Sequence, residues 1–257
     1  MTNPFSLAGK SAVITGGSRG IGGAVTRLLA AAGADVCIGY HSRSADADAM
    51  AAHCTAAGVK AVSHASDLGT AAGADSLIAA GMAAFGRVDI CVHSAGIWPV
   101  EDVPVSALSD ERWARTMREN VDATFYVSRA AVRAMTAGKR GGRLVLVSST
   151  AGQRGEAMHA DYGTSKGAMI SFVKSLAVEV AGLGITVNSI APGWVDTEMC
   201  AEPFANGGKE RVAKGIPVGR VASADDIAFP IVSLCFDGAR HVTGEIVNVN
   251  GGSVLCG

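Results

Sequence analysis

The chain lacks several features that mark large classes of proteins. Its 257 residues carry 22 Lys and Arg against 23 Asp and Glu, so no excess of basic charge exists to attract nucleic acid or an acidic membrane surface. No apolar run approaches the roughly 20 residues of a membrane-spanning helix, and the first residues do not follow the pattern of a signal peptide. We therefore expect a cytoplasmic protein that binds a small molecule rather than nucleic acid or a membrane.

The cysteines form no recognisable disulfide or metal-binding pattern. No Cys-x-x-Cys pair occurs and no histidine lies at the spacing of a zinc ligand, so we predict no metal site. Aromatic residues make up only 5% of the chain whereas glycine numbers 33, which favours helices packed closely on a parallel sheet. Six cysteines are expected to be reduced thiols, mostly in the core: Cys37, Cys54, Cys91, Cys200, Cys235 and Cys256.

Short β-branched runs alternate with alanine-rich helical stretches along the whole chain. Strands are predicted at 11–15, 35–40, 60–64, 88–93, 143–147, 186–190 and 245–249. Helices are predicted at 21–32, 45–57, 71–85, 109–135, 162–181 and 224–234. This alternation requires right-handed crossovers and a parallel sheet. We therefore predict one α/β domain over 1–257, a doubly wound Rossmann-type fold whose seven-stranded parallel sheet carries helices on both faces.

One stretch, 197–217, does not share this periodicity. It contains several residues that interrupt helices and strands, among them Pro203, Gly207 and Gly208. Long loops beside the strand ends of such folds commonly cover a ligand. We predict that 197–217 is a mobile lid over the substrate.

A glycine-rich loop follows the first predicted strand and leads into the first predicted helix. Glycines let the backbone turn sharply and approach a pyrophosphate, while the helix N-terminus offers N–H donors and a partial positive charge. The loop lacks the Gly-Lys-Ser/Thr of a nucleotide-hydrolysing P-loop. The predicted dinucleotide contacts in this loop are Gly16, Ser18, Arg19, Gly20, Ile21 and Gly22.

The end of the second predicted strand bears on the choice between NAD(H) and NADP(H). An acidic residue at this point would bind the ribose 2′-hydroxyl of NAD(H) and repel a 2′-phosphate. Tyr40 occupies the position, and the donors His41, Ser42 and Arg43 follow it, with Arg19 in the glycine loop nearby. We predict that NADP(H) is favoured over NAD(H).

Further cofactor contacts are predicted after the third and fourth strands. Asp67, followed by Leu68, is placed to accept a hydrogen bond from adenine, although it is also a candidate N-cap of the next helix. Ser94, Ala95 and Gly96 follow the fourth strand at its carboxyl end, where doubly wound sheets bind their ligands.

Tyr162 and Lys166 lie four residues apart in a predicted helix. At this spacing the two side chains share one helix face, where the ammonium can favour the ionised phenol. A free phenol has a pKa of about 10, so a neighbouring positive charge is needed if the group is to exchange protons near neutral pH. The pair predicts a site of proton transfer.

Taken in order, these motifs resemble those of the short-chain dehydrogenase/reductase family. The resemblance covers the whole chain: the glycine loop, Ser94-Ala95-Gly96, Asn120, Ser149, the Tyr162 and Lys166 pair, a Pro-Gly segment at 192–197 and Asn250-Gly251-Gly252. Within the family, the pattern is most similar to the 3-oxoacyl-acyl-carrier-protein reductase group and its related alcohol dehydrogenases and carbonyl reductases.

The resemblance implies a role for each matched residue. Tyr162 would exchange a proton with the substrate oxygen while hydride moves to or from nicotinamide, and Lys166 would also bind the ribose. Ser149 would hydrogen-bond the substrate oxygen, and Asn120 would hold a water that links Lys166 to solvent. The segment near the nicotinamide would contribute Pro192, Gly193, Val195 and Thr197.

The sequence departs from the family pattern at His93, where many members have Asn, and we expect His93 to be a structural residue. Members that act on acyl-carrier protein tend to have basic residues around the mouth of the site; Lys139 and Arg140 match this, whereas Leu183 does not. The predicted substrate pocket consists of Trp98, Arg154, His159 and Trp194.

Three functions remain open at this point. The first is an NADP(H)-dependent reductase or dehydrogenase that interconverts a carbonyl and a secondary alcohol. The second is an NAD(H)-linked dehydrogenase of a secondary alcohol, sugar or cyclic diol, and the third is a non-catalytic, cofactor-binding regulator. The complete Ser149, Tyr162 and Lys166 set argues against the third. The resemblance also implies a homotetramer.

Overall fold

The computed structural model describes residues 3–255, and a seven-stranded sheet lies at its centre. All strands are parallel, in the order β3-β2-β1-β4-β5-β6-β7, which confirms the predicted doubly wound Rossmann-type domain. The strands are β1 (Ser11–Thr15), β2 (Asp35–Tyr40), β3 (Ala61–Ala65), β4 (Ile90–His93), β5 (Gly142–Val147), β6 (Ile185–Pro192) and β7 (Ile246–Val249). All seven predicted strands are present, with ends shifted by up to two residues.

Within residues 3–255 the chain forms ten α-helical segments. They are α1 (Gly20–Ala31), α2 (Ser44–Ala56), α3 (Ala71–Phe85), α4 (Asp110–Thr116), α5 (Ala123–Gly138), α6 (Thr150–Arg154), α7 (Ala160–Val180), α8 (Ala201–Phe204), α9 (Gly208–Lys214) and α10 (Ala224–Ser233). None of the helices in the described part of the chain combines the length and apolar character needed to cross a bilayer.

The alternation of side chains along β1 gives the protein two hydrophobic cores. Ile14 points to one face and packs with α1, α2 and α10, whereas Val13 points to the other and packs with α3, α5 and α7. Four of the cysteines, Cys37, Cys54, Cys91 and Cys235, are buried free thiols, as predicted, and Cys200 is a free, half-buried thiol. Cys256 lies outside the described residues.

The predicted helix at 109–135 differs from the structure in its interior. Ser109 is the N-cap of α4, but a π-helical turn, Met117–Asp122, separates α4 from α5. The lid segment also differs, because it contains a short 3₁₀ turn, Glu198–Cys200, together with α8 and α9, and is therefore largely helical. The proline and glycine residues of this segment divide it into helices too short to show a helical periodicity, and such short helices depend on tertiary contacts.

A buried carboxylate anchors α7, the helix that carries Tyr162. Asp161 is fully buried, and its Oδ2 accepts hydrogen bonds from Arg112 Nε (3.1 Å) and Thr116 Oγ1 (2.8 Å) of α4. Burial raises the pKa of Asp161, but the hydrogen bonds from Arg112 and Thr116 outweigh it, so the net pKa lies below its usual value. This ion pair holds α4 against the start of α7.

We expect Asp161→Asn to lower the free energy of unfolding by about 3 kcal/mol, because it leaves the Arg112 guanidinium without its charge partner. Since the pKa of Asp161 is lowered in the folded state, its contribution to the free energy of unfolding is fully present above about pH 5 and is lost as the pH falls through that lowered pKa. Urea denaturation at several pH values would measure the difference. The control is Asp122→Asn, an exposed carboxylate; equal stability of the two variants would contradict the role of Asp161.

Candidate active site

A cleft of about 680 Å³ crosses the carboxyl ends of β1, β2 and β4. This is the switch point of the sheet, because β1 pairs with β2 on one side and with β4 on the other, so that Thr15 lies opposite both Gly39 and His93. The predicted cofactor residues that line the cleft are Gly16, Ser18, Arg19, Gly20, Ile21, Gly22, Tyr40, His41, Ser42, Arg43, Asp67, Leu68, Ser94, Ala95, Gly96 and Thr197. The other five predicted contacts, Tyr162, Lys166, Pro192, Gly193 and Val195, line an adjoining cavity.

The shape of the glycine loop depends on glycine itself. Gly16 and Gly20 have φ angles of 62° and 52°, which residues with a Cβ rarely adopt. A Cβ on Gly22 would lie 2.2 Å from the carbonyl oxygen of Gly16, so α1 could not approach β1 as it does. The N-cap, Arg19, makes no side-chain capping hydrogen bond. The open, bare helix start and the size of the cleft fit the pyrophosphate of a dinucleotide.

The hydroxyl of Thr15 joins the glycine loop to the turn after β4. Its Oγ1 accepts hydrogen bonds from the backbone N–H groups of Ser94 (3.1 Å) and Ala95 (3.0 Å), and lies 2.9 Å from His93 Nδ1. With these two bonds accepted, Thr15 donates its proton to Nδ1, so the imidazole carries its own proton on Nε2. Burial, assisted by the charge of Lys166, lowers the pKa of His93 to about 3. His93 is therefore a neutral acceptor, in agreement with the structural role predicted for it.

A second cavity, of about 150 Å³, adjoins the cleft and contains Ser149, Tyr162 and Lys166. Tyr162 and Lys166 both lie on α7, as predicted, and Lys166 Nζ is 5.8 Å from the centre of the phenol ring. Lys166 Nζ also donates a hydrogen bond to the carbonyl oxygen of Val147 at the end of β5 (3.0 Å). Ser149 follows the same strand and is the N-cap of α6. The end of β5 and the face of α7 thus bring the three side chains together.

The electrostatics of Tyr162 differ from the expectation. Burial raises the pKa of the phenol above its usual value, and the neighbouring Ser149 hydroxyl only partly offsets this effect. Burial also lowers the pKa of Lys166 to about 8. The side chains of this protein therefore keep Tyr162 protonated, and Lys166 does not by itself supply the lowered pKa that the spacing suggested.

Asn120 has a different set of contacts from the one inferred. Its Oδ1 accepts a hydrogen bond from the N–H of Ile97 (2.8 Å), and its Nδ2 donates to the carbonyl oxygen of Ile97 and to Ser165 Oγ (both 3.0 Å). Three of the four hydrogen bonds that the side-chain amide can make are thus to protein partners. It lies in the π-helical turn and ties that turn to the loop after β4 and to α7.

Trp98 forms the centre of the aromatic wall of the cavity. Its ring stacks on His159 (centroids 5.2 Å apart) and meets Trp194 edge to face (5.7 Å). Trp98, Trp194 and Arg154 line the cavity, as predicted. His159 does not: it is 3% exposed and lies behind Trp98, so its predicted direct contact with substrate is wrong.

Known proteins resemble the chain over nearly its whole length. A family profile described as Enoyl-(Acyl carrier protein) reductase matches residues 16–253. A 3-oxoacyl-[acyl-carrier-protein] reductase of Escherichia coli (strain K12) is 38% identical over 98% of this chain and 100% of its own. The chain belongs to the short-chain dehydrogenase/reductase family.

Two further proteins extend the comparison of this short-chain dehydrogenase/reductase. An L-rhamnose 1-dehydrogenase (NAD(P)(+)) of Azotobacter vinelandii is 36% identical over 96% of this chain and 97% of its own. A solved structure described as a short-chain dehydrogenase/reductase, glucose/ribitol dehydrogenase, from Brucella melitensis superposes with a TM-score of 0.88 at 32% identity, covering 98% of this chain and 99% of the other. The enzyme class, an oxidoreductase acting on CH–OH groups, agrees with the prediction.

The alternative of an N-cap role for Asp67 is wrong in this dehydrogenase/reductase. Thr70 is the N-cap of α3, and its hydroxyl accepts a hydrogen bond from the N–H of Gly73. Asp67 instead accepts one from the N–H of Gly69 (3.0 Å) and pairs with Arg118 of the π-helical turn (3.3 Å).

Two carboxylates at the site were not found by sequence reasoning. Glu198, in the lid segment, lines the cofactor cleft and forms ion pairs with Arg19 and with Arg43 (3.2 Å to the latter). Glu156, between Ser149 and Tyr162, lines the second cavity. The only sequence signal for Glu156 is its position between two predicted catalytic residues, and no signal connects Glu198 to arginines more than 150 residues away.

We expect Thr15→Val to lower the free energy of unfolding by about 3 kcal/mol and to weaken dinucleotide binding, because it leaves the N–H groups of Ser94 and Ala95 and the Nδ1 of His93 without a partner. Urea denaturation and fluorescence titration with NADPH and NADH would measure the two effects. Thr15→Ser, which keeps the hydroxyl, is the matched control. If Thr15→Val and Thr15→Ser were equally stable, the hydrogen bonds of the Thr15 hydroxyl would not stabilise the fold by this amount.

Proposed function

We propose that the protein is an NADP(H)-dependent oxidoreductase that interconverts a carbonyl compound and a secondary alcohol, with Tyr162 as general acid and base. The observation that carries the proposal is that Ser149, Tyr162 and Lys166 line one cavity that adjoins a cleft suited to a dinucleotide. A non-catalytic role would require no such set of groups around a space for substrate.

The chemistry follows from the state of each group. A nicotinamide bound in the cleft would supply or accept the hydride. Tyr162, kept protonated by burial, donates its proton to the carbonyl oxygen during reduction and takes it back during oxidation. The Ser149 hydroxyl stabilises charge on that oxygen, and Lys166 contributes a positive charge held in place by Val147.

The preference for NADP(H) is supported by charge at the adenosine end of the cleft. Arg19 and Arg43 both line it, and Tyr40 stands where a carboxylate would repel a 2′-phosphate. The ion pairs of Glu198 with the two arginines oppose this preference, since a carboxylate competes with the phosphate for the same donors.

The relatives leave two substrate classes open, 3-oxoacyl thioesters and sugars. The exposed, apolar Leu183 at the surface argues against an acidic carrier protein as partner. We further propose that 197–217 closes over the substrate, and that the chain forms a homotetramer, for which the exposed Phe125 of α5 and Val178 of α7 supply apolar contact surface. The cytoplasmic location also stays a prediction.

We expect Tyr162→Phe to lower turnover by about 10³-fold while NADPH binds as before, because the phenol hydroxyl is the proton donor. A panel of ketones, aldoses, 3-oxoacyl thioesters and secondary alcohols, followed by nicotinamide absorbance with both cofactors, would measure it. Ser171→Ala, at an exposed position of α7 outside the cavity, controls for disturbance of the helix. Turnover close to that of the wild type in Tyr162→Phe would refute the mechanism, and no turnover across the panel by the wild type would refute the function.

We expect Glu198→Gln to increase the preference for NADPH over NADH by about threefold, because it frees Arg19 and Arg43 from an exposed ion pair. The ratio of the two dissociation constants, obtained by fluorescence titration, is the measurement. Glu202→Gln, in the same lid segment but outside the cleft, is the control. An unchanged or reduced ratio would show that Glu198 does not compete with the phosphate.

A further inference from the structure

The second cavity, which contains Ser149, Tyr162 and Lys166, has side chains of opposite charge on its wall. Among the described residues that line it, the only ionisable acid or base side chains besides Tyr162, Lys166 and Cys200 are those of Arg154, the last residue of α6, and Glu156, two residues later. The remaining wall combines aromatic and aliphatic groups, notably Trp98 and Trp194, with five serine and threonine residues. One carboxylate and one guanidinium therefore face the same small space.

Glu156 is not used by the fold. Its side chain is half-buried, and no hydrogen bond to its carboxylate is present within residues 3–255. The indole N–H of Trp98 is close enough to favour the charged form, but it too makes no hydrogen bond of normal geometry. A partly desolvated carboxylate without a donor is unfavourable, so a substrate group that donates to it would be bound preferentially.

The negative charge of Glu156 affects the pKa of Tyr162, which lines the same cavity. Burial raises the pKa of Glu156, while His159 and Arg154 act in the opposite direction, and its negative charge contributes to the raised pKa of Tyr162. A substituent next to the reacting carbon would therefore lie within the influence of both Glu156 and Tyr162.

A net charge on the substrate would meet both signs on the wall. A carboxylate or phosphate beside the reacting carbon would be attracted by Arg154 and Lys166 but repelled by Glu156, and an ammonium the reverse, so in each case repulsion offsets part of the attraction. A hydroxyl is different, because it can donate to Glu156 and accept from Arg154 without bringing charge into the cavity. The faces of Trp98 and Trp194 suit the C–H groups of such a molecule.

We propose that Glu156, with Arg154, selects an uncharged substrate that carries a hydroxyl on the carbon next to the reacting one, as in a vicinal diol or its hydroxyketone. The proposal rests on the proposed oxidoreductase function and assigns its substrate class. It makes Glu156 a specificity-determining residue, and leaves proton transfer to Tyr162.

The test uses a series of cyclohexanols that differ only in the group at carbon 2: hydrogen, hydroxyl, ammonium or carboxylate. Butan-2-ol and butane-2,3-diol form an open-chain pair, and kcat/KM is measured with NADP⁺ and NAD⁺ for each. We expect the diols to exceed their mono-alcohols by about 10- to 100-fold, the effect of satisfying a partly buried polar group, and to exceed both charged compounds.

Variants assign the preference to Glu156. Glu156→Gln keeps the size of the side chain and an acceptor oxygen but removes the charge, so it should lower kcat/KM for the diols relative to the mono-alcohols by about tenfold, mainly through KM. Any change in the pKa of Tyr162 acts on both series alike and cancels in this ratio. Glu111→Gln, at an exposed carboxylate on α4 that lies outside both the cavity and the lid segment, should leave the whole series unchanged.

Each alternative result has a distinct meaning. Equal rates for diols and mono-alcohols, the best rates for the ammonium or the carboxylate compound, or no effect of Glu156→Gln on the diols relative to the mono-alcohols would each overturn the proposal while leaving the oxidoreductase function intact. Failure to oxidise any diol by an enzyme that turns over other members of the carbonyl panel would also overturn it. Lack of turnover of every compound would refute the oxidoreductase function itself.

Discussion

The hydroxyl of Thr15 is the point on which the cofactor cleft depends. It lies at the end of β1, where the strand order reverses. It accepts hydrogen bonds from the two backbone N–H groups of the turn after β4 and donates one to His93 at the end of that strand. The glycine loop leaves the same strand end, so the position of the loop relative to Ser94 and Ala95 is set by these three hydrogen bonds. Buried polar groups at this junction have no water to replace a lost partner, which makes the arrangement rigid.

The long helix α7 combines three buried ionisable groups with different environments. Hydrogen bonds from Arg112 and Thr116 lower the pKa of Asp161 and keep it charged. Burial lowers the pKa of Lys166, and it raises the pKa of Tyr162 so that the phenol stays neutral. Neighbouring positions on one helix thus carry an anchoring carboxylate, an amine and a protonated phenol. The distinction arises from what each side chain contacts, since their sequence spacing alone would not separate the roles.

Most of the fold could be predicted because its signals are local. Alternating strands and helices identified all seven strands and the sheet type, and the 71–85 helix was predicted with its observed ends. The failures occurred where tertiary contacts override local preference. The π-helical turn at Met117–Asp122 accommodates Asn120, whose amide bonds Ile97 and Ser165, and no periodicity in the chain reveals contacts to residues 23 and 45 positions away.

The sequence by itself determined the family, the glycine loop and the candidates Ser149, Tyr162 and Lys166, because these depend on motifs whose order along the chain is preserved. Only the tertiary structure decided which side chains enter the cavities. It placed Glu156 in the wall of the second cavity and His159 behind Trp98, although the two residues lie three positions apart. It also brought Glu198 into ion pairs with Arg19 and Arg43. The orientation of a side chain in a loop and the contacts between distant segments arise from packing, which sequence spacing does not encode.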